Sequence, residues 1–238
     1  MRQDDRAVPL EIGHAETAQR SFLLRVYHWM TLGLALTGIV ALYMASKPEM
    51  VQTVMTTPGL FFGLLIGELV LVFYLAARVM RMSPGRAMAV FLLYSALNGV
   101  TFSVIFLAYT KSTIASAFFV TAGTFAATSL YGYVTKRDLS GMGSFLFMGL
   151  IGIIIASIVN MFLGSHGMAM IISYIGVIVF VGLTAYDTQK LKAMAMSQPA
   201  GLDAATIRKG SILGALTLYL DFILMFQYLL MIFGGSRD

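Results

Sequence analysis

Cysteine is missing from this sequence and charge is scarce. None of the 238 residues is a cysteine, and only 11% of the residues are charged. The missing cysteine excludes a disulfide framework, a thiolate metal site and a thiol nucleophile. The low charge, with a hydrophobic content of 58% and a mean hydropathy of +0.84, excludes an ordinary soluble domain. Most of the chain is therefore predicted to lie in lipid.

Seven apolar runs of roughly twenty residues follow one another along the chain, each long enough to cross a hydrocarbon core of ~30 Å as an α-helix. The runs are continuous and lack the alternation of a membrane β-strand, so a β-barrel is not expected. They cover residues 26–46, 59–77, 87–109, 113–134, 142–163, 168–187 and 211–233. The predicted fold is an all-α integral membrane protein with seven transmembrane helices. We divide the chain into a polar cytoplasmic tail (1–25), a seven-helix domain (26–233) and a short carboxyl-terminal tail (234–238).

The sixteen lysines and arginines indicate the orientation of the chain in the membrane. They are dispersed between the apolar runs instead of forming one basic module, so no nucleic-acid partner is expected. When the runs are placed as alternating spans, thirteen of these residues fall on one side and only Lys47, Lys111 and Arg237 on the other. Because basic residues accumulate on the cytoplasmic side, the amino end is predicted to be cytoplasmic and the carboxyl end outside.

Glycine and histidine patterns in the chain have structural interpretations. Gly59, Gly63 and Gly67 recur every fourth residue in the second run, a spacing that predicts a close helix contact. The three histidines show no ligand spacing, so a zinc site is not expected.

Carboxylates inside the apolar runs are the strongest functional signal, since an ionised aspartate at the centre of a membrane helix costs roughly 2.5–3.5 kcal/mol even on a lenient scale. Asp187 lies near the cytoplasmic end of the sixth run, Asp221 near the middle of the seventh, and Glu68 in the second. Arg78, at the cytoplasmic end of the second run, is the predicted counter-ion, and Arg81 lies one turn beyond it. For Glu68, structural pairing and pore lining both remain open.

The sixth and seventh runs form a predicted hairpin that could bring Asp187 and Asp221 together. Regular helices would leave the two residues about two turns apart in depth, so we expect a break or tilt in the last helix to close the gap. Two carboxylates in contact cannot both ionise without a large free-energy penalty, and the pair should share a proton near neutral pH. The alternative for Asp187 is an interfacial carboxylate paired with Lys190 or Arg78.

Two segments carry a resemblance to the bacterial branch of the Bax-inhibitor (transmembrane Bax-inhibitor-motif) family. They are Tyr186-Asp187-Thr188-Gln189 at the end of the sixth run and Tyr219-Leu220-Asp221-Phe222-Ile223 in the last, within a seven-span layout over residues 20–233. The resemblance implies two layers of three helices around a central carboxyl-terminal helix, which the other six would surround. The chain departs from the family in a longer connection, from Thr188 to Gly210.

Prokaryotic members of this family resemble pH-sensitive calcium leak channels, so the resemblance implies a cation leak pathway, with calcium as the transported ion and no cofactor. By motif, Asp187 and Asp221 match an aspartate pair that senses protons, and Arg78 best matches an arginine that pairs with the first aspartate. The two aspartates would gate the pathway and offer calcium the oxygen ligands that it prefers, and Arg78 would compete with the cation for Asp187. The implied setting is a bacterial cytoplasmic (inner) membrane, with the lipid bilayer, calcium ions and protons as partners.

Two other functions fit parts of the sequence. Family members are also linked to the restraint of cell-death factors or membrane proteases, which would make this chain a regulatory partner of another membrane protein. A Tyr-Asp pair on a sixth helix also begins the signature of intramembrane aspartyl proteases. Those enzymes resemble one another in a Gly-x-Gly-Asp motif on the next helix, whereas Asp221 follows Leu218-Tyr219-Leu220. We therefore expect no enzymatic activity.

Overall fold

Helices account for almost all of the structure, which is a computed structural model. It describes residues 4–197 and 202–235, with side chains from residue 19 onward, and these residues contain no β-strand. The helices are α1 (Asp4–Ala45), α2 (Pro48–Thr56), α3 (Pro58–Arg78), α4 (Pro84–Phe102), α5 (Ile105–Ala108), α6 (Lys111–Val134), α7 (Ser140–Leu163), α8 (His166–Met196) and α9 (Ala204–Gly235). A single 3₁₀ turn, Val79–Arg81, follows α3.

Seven spans are long and apolar enough to cross a membrane, which confirms the predicted all-α fold. They are Gln19–Ala45, Pro58–Arg81, Pro84–Ala108, Lys111–Val134, Ser140–Leu163, His166–Met196 and Ala204–Gly235.

Some predicted boundaries differ from the helices. The prediction of a long connection from Thr188 to Gly210 is wrong, because α8 continues to Met196 and α9 begins at Ala204. The polar residues before the first run also continue helix α1, which begins at Asp4. Arg237, one of the three basic residues assigned to the outer side, lies outside the described residues.

The last helix, α9, is the most buried of the spans. In its most apolar stretch 56% of the residues are buried, compared with 6% in α3. Its main neighbours are α1, α4, α6 and α8, whereas α7 packs mainly against α8 and α3 mainly against α4. The prediction that all six other spans surround α9 is therefore not confirmed.

Close helix contacts occur at glycines other than the predicted ones. A Cβ atom on Gly59, Gly63 or Gly67 would meet no atom within 4 Å, so the predicted contact face on α3 is wrong. On α6, by contrast, Gly132 lies directly against the backbone of Ala185 on α8. Gly132 thus faces a partner helix, whereas α3 turns Gly59, Gly63 and Gly67 away from its neighbours.

The orientation of the spans gives a testable prediction. A reporter that is active only in the cytoplasm should work when inserted between α8 and α9, and it should fail when fused after Asp238. The physical reason is the thirteen-to-three distribution of basic residues between the two sides. Activity and expression would be measured for both fusions, and the reverse pattern would contradict the orientation.

Candidate functional site

A cavity of about 560 Å³ lies between α7, α8 and α9, and we call it the aspartate cavity. Asp187 of α8 and Asp221 of α9 both line it, together with Ser144 of α7 and Thr217 of α9. The remaining wall is largely apolar, with Phe147, Leu150, Phe180, Leu183, Leu220 and Leu224. Two carboxyl groups are thus gathered in a space inside the helix bundle.

Asp187 and Asp221 line the same cavity, and their carboxyl groups lie close enough to interact electrostatically. Asp187 is half-buried, whereas Asp221 is only 4% exposed. The Oδ2 atom of Asp221 has no hydrogen-bond partner among the described residues. Because an ionised carboxylate has no donor, the two groups can hydrogen-bond to each other only when one of them carries a proton. The arrangement can therefore hold a proton or offer carboxylate oxygens to a cation.

The packing of α8 against α9 explains how the two aspartates meet. The Gly176 backbone lies against the Tyr228 ring, and the Gly214 backbone lies against the Leu191 side chain. This register places Asp187 within about one helical turn of Asp221. Helix α9 is continuous from Ala204 to Gly235, so the predicted break in the last helix is wrong. The depth difference is reduced by the register of α8 against α9 and not by a break in either helix.

Four consecutive residues in the second half of α8, Tyr186 to Gln189, each contact a different part of the protein. The ring of Tyr186 lies against Gly143 of α7, and Asp187 faces Asp221. Thr188 exchanges a hydrogen bond of 2.9 Å with Ser129 of α6, whose hydroxyl also bonds Tyr27 of α1.

The fourth residue, Gln189, forms hydrogen bonds with the backbone of the connection between α6 and α7. Its amide donates to the Arg137 carbonyl at 2.8 Å and accepts from the Leu139 N–H at 2.9 Å. The Tyr-Asp-Thr-Gln segment therefore connects α8 to α6, to α7 and, through Ser129, to α1, while Asp187 lines the cavity beside α9.

The cation that acts on Asp187 is Lys190, not Arg78. Lys190 lies one turn from Asp187 on α8, lines the aspartate cavity and interacts electrostatically with the Asp187 carboxylate. Arg78 and Arg81 are exposed, and neither forms an ion pair within the part of the chain whose side chains are described. The structure does not bring Arg78 to Asp187, because α3 packs mainly against α4.

Glu68 stands apart from the aspartate cavity. It is half-buried on α3 and accepts a hydrogen bond of 2.5 Å from Thr101 of α4. It does not line the aspartate cavity, whose walls come from α7, α8 and α9. The structure thus shows the pairing of Glu68 with a neighbouring helix.

Tyr219 has a structural role at the site. The sequence pointed to it only as the first residue of the Tyr219-Leu220-Asp221-Phe222-Ile223 segment. It is fully buried on α9, and its hydroxyl lies 2.7 Å from the Thr37 hydroxyl of α1. Thr37 uses its one proton toward the carbonyls of Gly33 and Ser95, so Tyr219 is the donor in this contact. Residues two apart on a helix point in nearly opposite directions. Tyr219 therefore holds α9 against α1 and α4 while Asp221 faces the aspartate cavity.

The residues of the site do not form a dedicated metal centre. Within the described residues, no group of three or more His, Cys, Asp or Glu side chains could hold a metal ion. Calcium takes six to eight oxygen ligands in protein sites.

The fold and the site define a polytopic α-helical membrane protein with carboxyl groups inside its helix bundle. The sequence profile of the family described as Inhibitor of apoptosis-promoting Bax1 matches residues 19–238. The chain therefore belongs to the Bax-inhibitor family, as its two motifs predicted.

Bacterial relatives match over nearly the whole chain. The protein described as inner membrane protein YbhL of Escherichia coli strain K12 is 54% identical over 218 residues, covering 92% of this chain and 93% of that protein. A protein of Deinococcus radiodurans described as uncharacterized is 45% identical over 219 residues, covering 92% of each chain. The uncharacterized protein RP147 of Rickettsia prowazekii is 43% identical over 219 residues, covering 92% of this chain and 91% of that one.

Proposed function

We propose that the protein is a pH-sensitive leak pathway for cations, with calcium as the expected ion. One observation carries the proposal: Asp187 and Asp221 both line the aspartate cavity, and one buried oxygen of Asp221 has no hydrogen-bond partner in the described part of the chain. An unpartnered buried carboxylate oxygen is unfavourable unless a proton or a cation neutralises it. Protons and cations would therefore compete for the same two groups.

The chemistry of the aspartate cavity fits a hard cation. Carboxylate oxygens and the hydroxyls of Ser144 and Thr217 are oxygen ligands of the kind that calcium prefers. A low number of ligands allows an ion to leave as well as to bind, which conduction requires. Protonation of the aspartates would remove their negative charge and weaken their attraction for the cation, which makes the flux dependent on pH.

The proposed setting is a bacterial inner membrane, with the amino end in the cytoplasm. The described location of the Escherichia coli relative and the seven apolar spans of this chain support this setting.

A second cavity of about 320 Å³ adjoins the aspartate cavity on the cytoplasmic side and shares Tyr186 and Lys190 with it. Lys136 and Arg137 line this second cavity as well, so its cytoplasmic opening is basic. We call this second cavity the basic opening.

One carboxylate offsets part of the charge of the basic opening. Asp138 accepts hydrogen bonds from the Ser140 hydroxyl and from its N–H at 2.9 Å, and these bonds lower the pKa of Asp138 below its ordinary value. Asp138 is therefore ionised throughout the neutral range, and any change of flux in that range has to arise elsewhere.

Reconstitution into liposomes tests the proposal directly. Purified protein would be inserted into liposomes that contain a calcium-sensitive dye, and flux would be recorded across a series of pH values. We expect calcium flux above that of protein-free liposomes, and we expect it to change with pH around neutrality. No flux at any pH would contradict the leak and would leave the regulatory interpretation of the family resemblance, whereas cleavage of a membrane substrate would indicate a protease.

Removal of the positive charge beside Asp187 should raise the flux. The Lys190→Gln variant loses the ammonium group that acts on the Asp187 carboxylate, so a cation meets less repulsion. We expect an increase of about fivefold at low salt, and a smaller increase at high salt because exposed charges are screened. Initial calcium flux into liposomes measures the effect.

Lys192→Gln is the matched control for this prediction. The Lys192 ammonium donates to the Tyr133 carbonyl at 2.8 Å and lies over the Tyr133 ring, so it is directed away from the aspartate cavity. Its replacement should leave flux close to that of the wild type. Equal increases in both variants would show that the effect comes from the net charge of the cytoplasmic face and not from Lys190 itself.

A further inference from the structure

A separate cavity of about 320 Å³ lies among α1, α4 and α9, at the end of these helices that carries most of the basic residues, and we call it the arginine cavity. Arg25 and Trp29 of α1 line it, with Arg208 and Ile212 of α9 and Met88 of α4. It shares no lining residue with the aspartate cavity.

The two arginines bring positive charge to this cavity. Arg25 and Arg208 lie on different helices, and both are exposed. Within the residues whose side chains are described, neither arginine forms an ion pair. The nearby Asp203 accepts a hydrogen bond from the Thr206 N–H at 3.2 Å. Among these described residues, the arginine cavity therefore has two guanidinium groups and no carboxylate partner for them.

We propose that the arginine cavity binds the phosphate headgroup of an anionic phospholipid from the cytoplasmic leaflet. A guanidinium group makes paired hydrogen bonds to phosphate oxygens, and two such groups on neighbouring helices can enclose one phosphate. Basic pockets between membrane helices on the cytoplasmic side suit anionic headgroups. The apolar side chains of Met88 and Ile212 offer a surface for the glycerol and the start of the acyl chains.

The general accumulation of basic residues on the cytoplasmic side does not account for this geometry. That rule governs on which side the charges lie, and it is satisfied by exposed arginines such as Arg81, which lines no part of the arginine cavity. Arg25 and Arg208 instead converge on one space that also contains Trp29, an aromatic residue of the type that lies at headgroup level. A headgroup bound there would connect α1 with α9, the helix that carries Asp221.

Trp29 makes the proposal measurable, since it is the only tryptophan of the chain. Bromine atoms on lipid acyl chains quench tryptophan fluorescence on contact, so quenching reports lipid at the arginine cavity. The protein would be reconstituted into phosphatidylcholine vesicles that contain a minor fraction of brominated phosphatidylglycerol or, in parallel, brominated phosphatidylcholine. We expect phosphatidylglycerol to quench Trp29 at a lower mole fraction than phosphatidylcholine does. Equal quenching by the two lipids in the wild-type protein would overturn the proposal without need of any variant.

A double variant tests the role of the arginines. Arg25→Gln combined with Arg208→Gln should reduce the preference for phosphatidylglycerol by about tenfold, because two charges near the membrane surface are removed. Arg81→Gln, which removes one charge from the same face outside the arginine cavity, should retain most of the preference. Circular dichroism would establish that each variant is folded, and an equal loss in Arg81→Gln would show that only the general surface charge attracts the lipid.

A soluble phosphate compound could bind the two arginines through the same phosphate group as a lipid headgroup. Glycerol 3-phosphate and inorganic phosphate would be added to wild-type vesicles that contain brominated phosphatidylglycerol. We expect neither to restore Trp29 fluorescence at low millimolar concentration. Full restoration by either compound would show that the arginine cavity binds a free phosphate compound, and the lipid proposal would be wrong. None of these measurements depends on ion flux, so the result is independent of the proposed leak.

Discussion

Replacement of Gly132 by alanine should destabilise the protein strongly and disturb the aspartate cavity. A Cβ atom at this position would collide with the carbonyl oxygen of Ala185 and lie 2.9 Å from its carbonyl carbon and Cα. These are backbone atoms of α8, so no side-chain rotation can relieve the contact, and α6 and α8 would have to separate. Overpacking of this kind costs about 1–3 kcal/mol or more, which predicts a fall in Tm of about 3–10 °C. Thermal loss of the monodisperse gel-filtration peak would measure it.

The matched control is Gly123→Ala on the same helix. A Cβ atom on Gly123 would meet no atom within 4 Å, and alanine favours the helix over glycine. We expect this variant to be as stable as the wild type or slightly more stable.

Gly132→Ala should also alter the pH dependence of flux, because Ala185 lies two residues from Asp187. Wild-type stability of Gly132→Ala would mean that α6 and α8 are not in backbone contact.

The seven spans could be predicted because the thickness of the membrane imposes a length and a composition on each one. The ends of α8 and α9 could not be predicted in the same way. Hydropathy falls after Asp187, but residues 190–196 are lysine, leucine, alanine and methionine, which all favour a helix in water as well. The fall in hydropathy therefore marks the end of the apolar part of α8, whereas helix propensity determines the end of the helix itself.

Helix contacts are less visible in the sequence than helix positions. The regular spacing of Gly59, Gly63 and Gly67 predicted a contact, but the spacing does not say whether a second helix lies on that side. Gly132 and Gly143 have no such spacing, yet Gly132 meets the backbone of α8 and Gly143 meets the ring of Tyr186. These contacts depend on which helices are neighbours in three dimensions.

That Asp187 and Asp221 line one cavity could be predicted because a hairpin of adjacent spans joins α8 to α9. The counter-ion could not be predicted from a distant motif, since Arg78 ends α3, which has α4 as its main partner. A local signal for Lys190 was present, because residues three apart on a helix share a face and Lys190 follows Asp187 at that spacing. The sequence also offered this pairing as the alternative interpretation of Asp187.

Neutralisation of either aspartate should remove most of the pH dependence of calcium flux. Asp187→Asn and Asp221→Asn each delete one of the two groups that can share a proton, so the remaining aspartate loses the electrostatic coupling with its partner. Each single variant should therefore flatten the same part of the pH profile. Calcium flux into liposomes across a pH series is the measurement, and Asp138→Asn, which alters an exposed carboxylate outside the aspartate cavity, is the control.

The double variant distinguishes a coupled pair from two independent acids. Groups that act as one unit are non-additive, whereas independent sites add to within about 0.3–0.5 kcal/mol. Once either aspartate has been replaced, replacement of the second should change the pH profile little further, since the contact between Asp187 and Asp221 is already lost. We expect a coupling of at least about 1.4 kcal/mol, which equals one pH unit in the titration of the pair. Strictly additive effects, with the wild-type titration preserved in either single variant, would show that the two carboxyl groups do not function together, and the proposed proton-sensitive gate would be wrong.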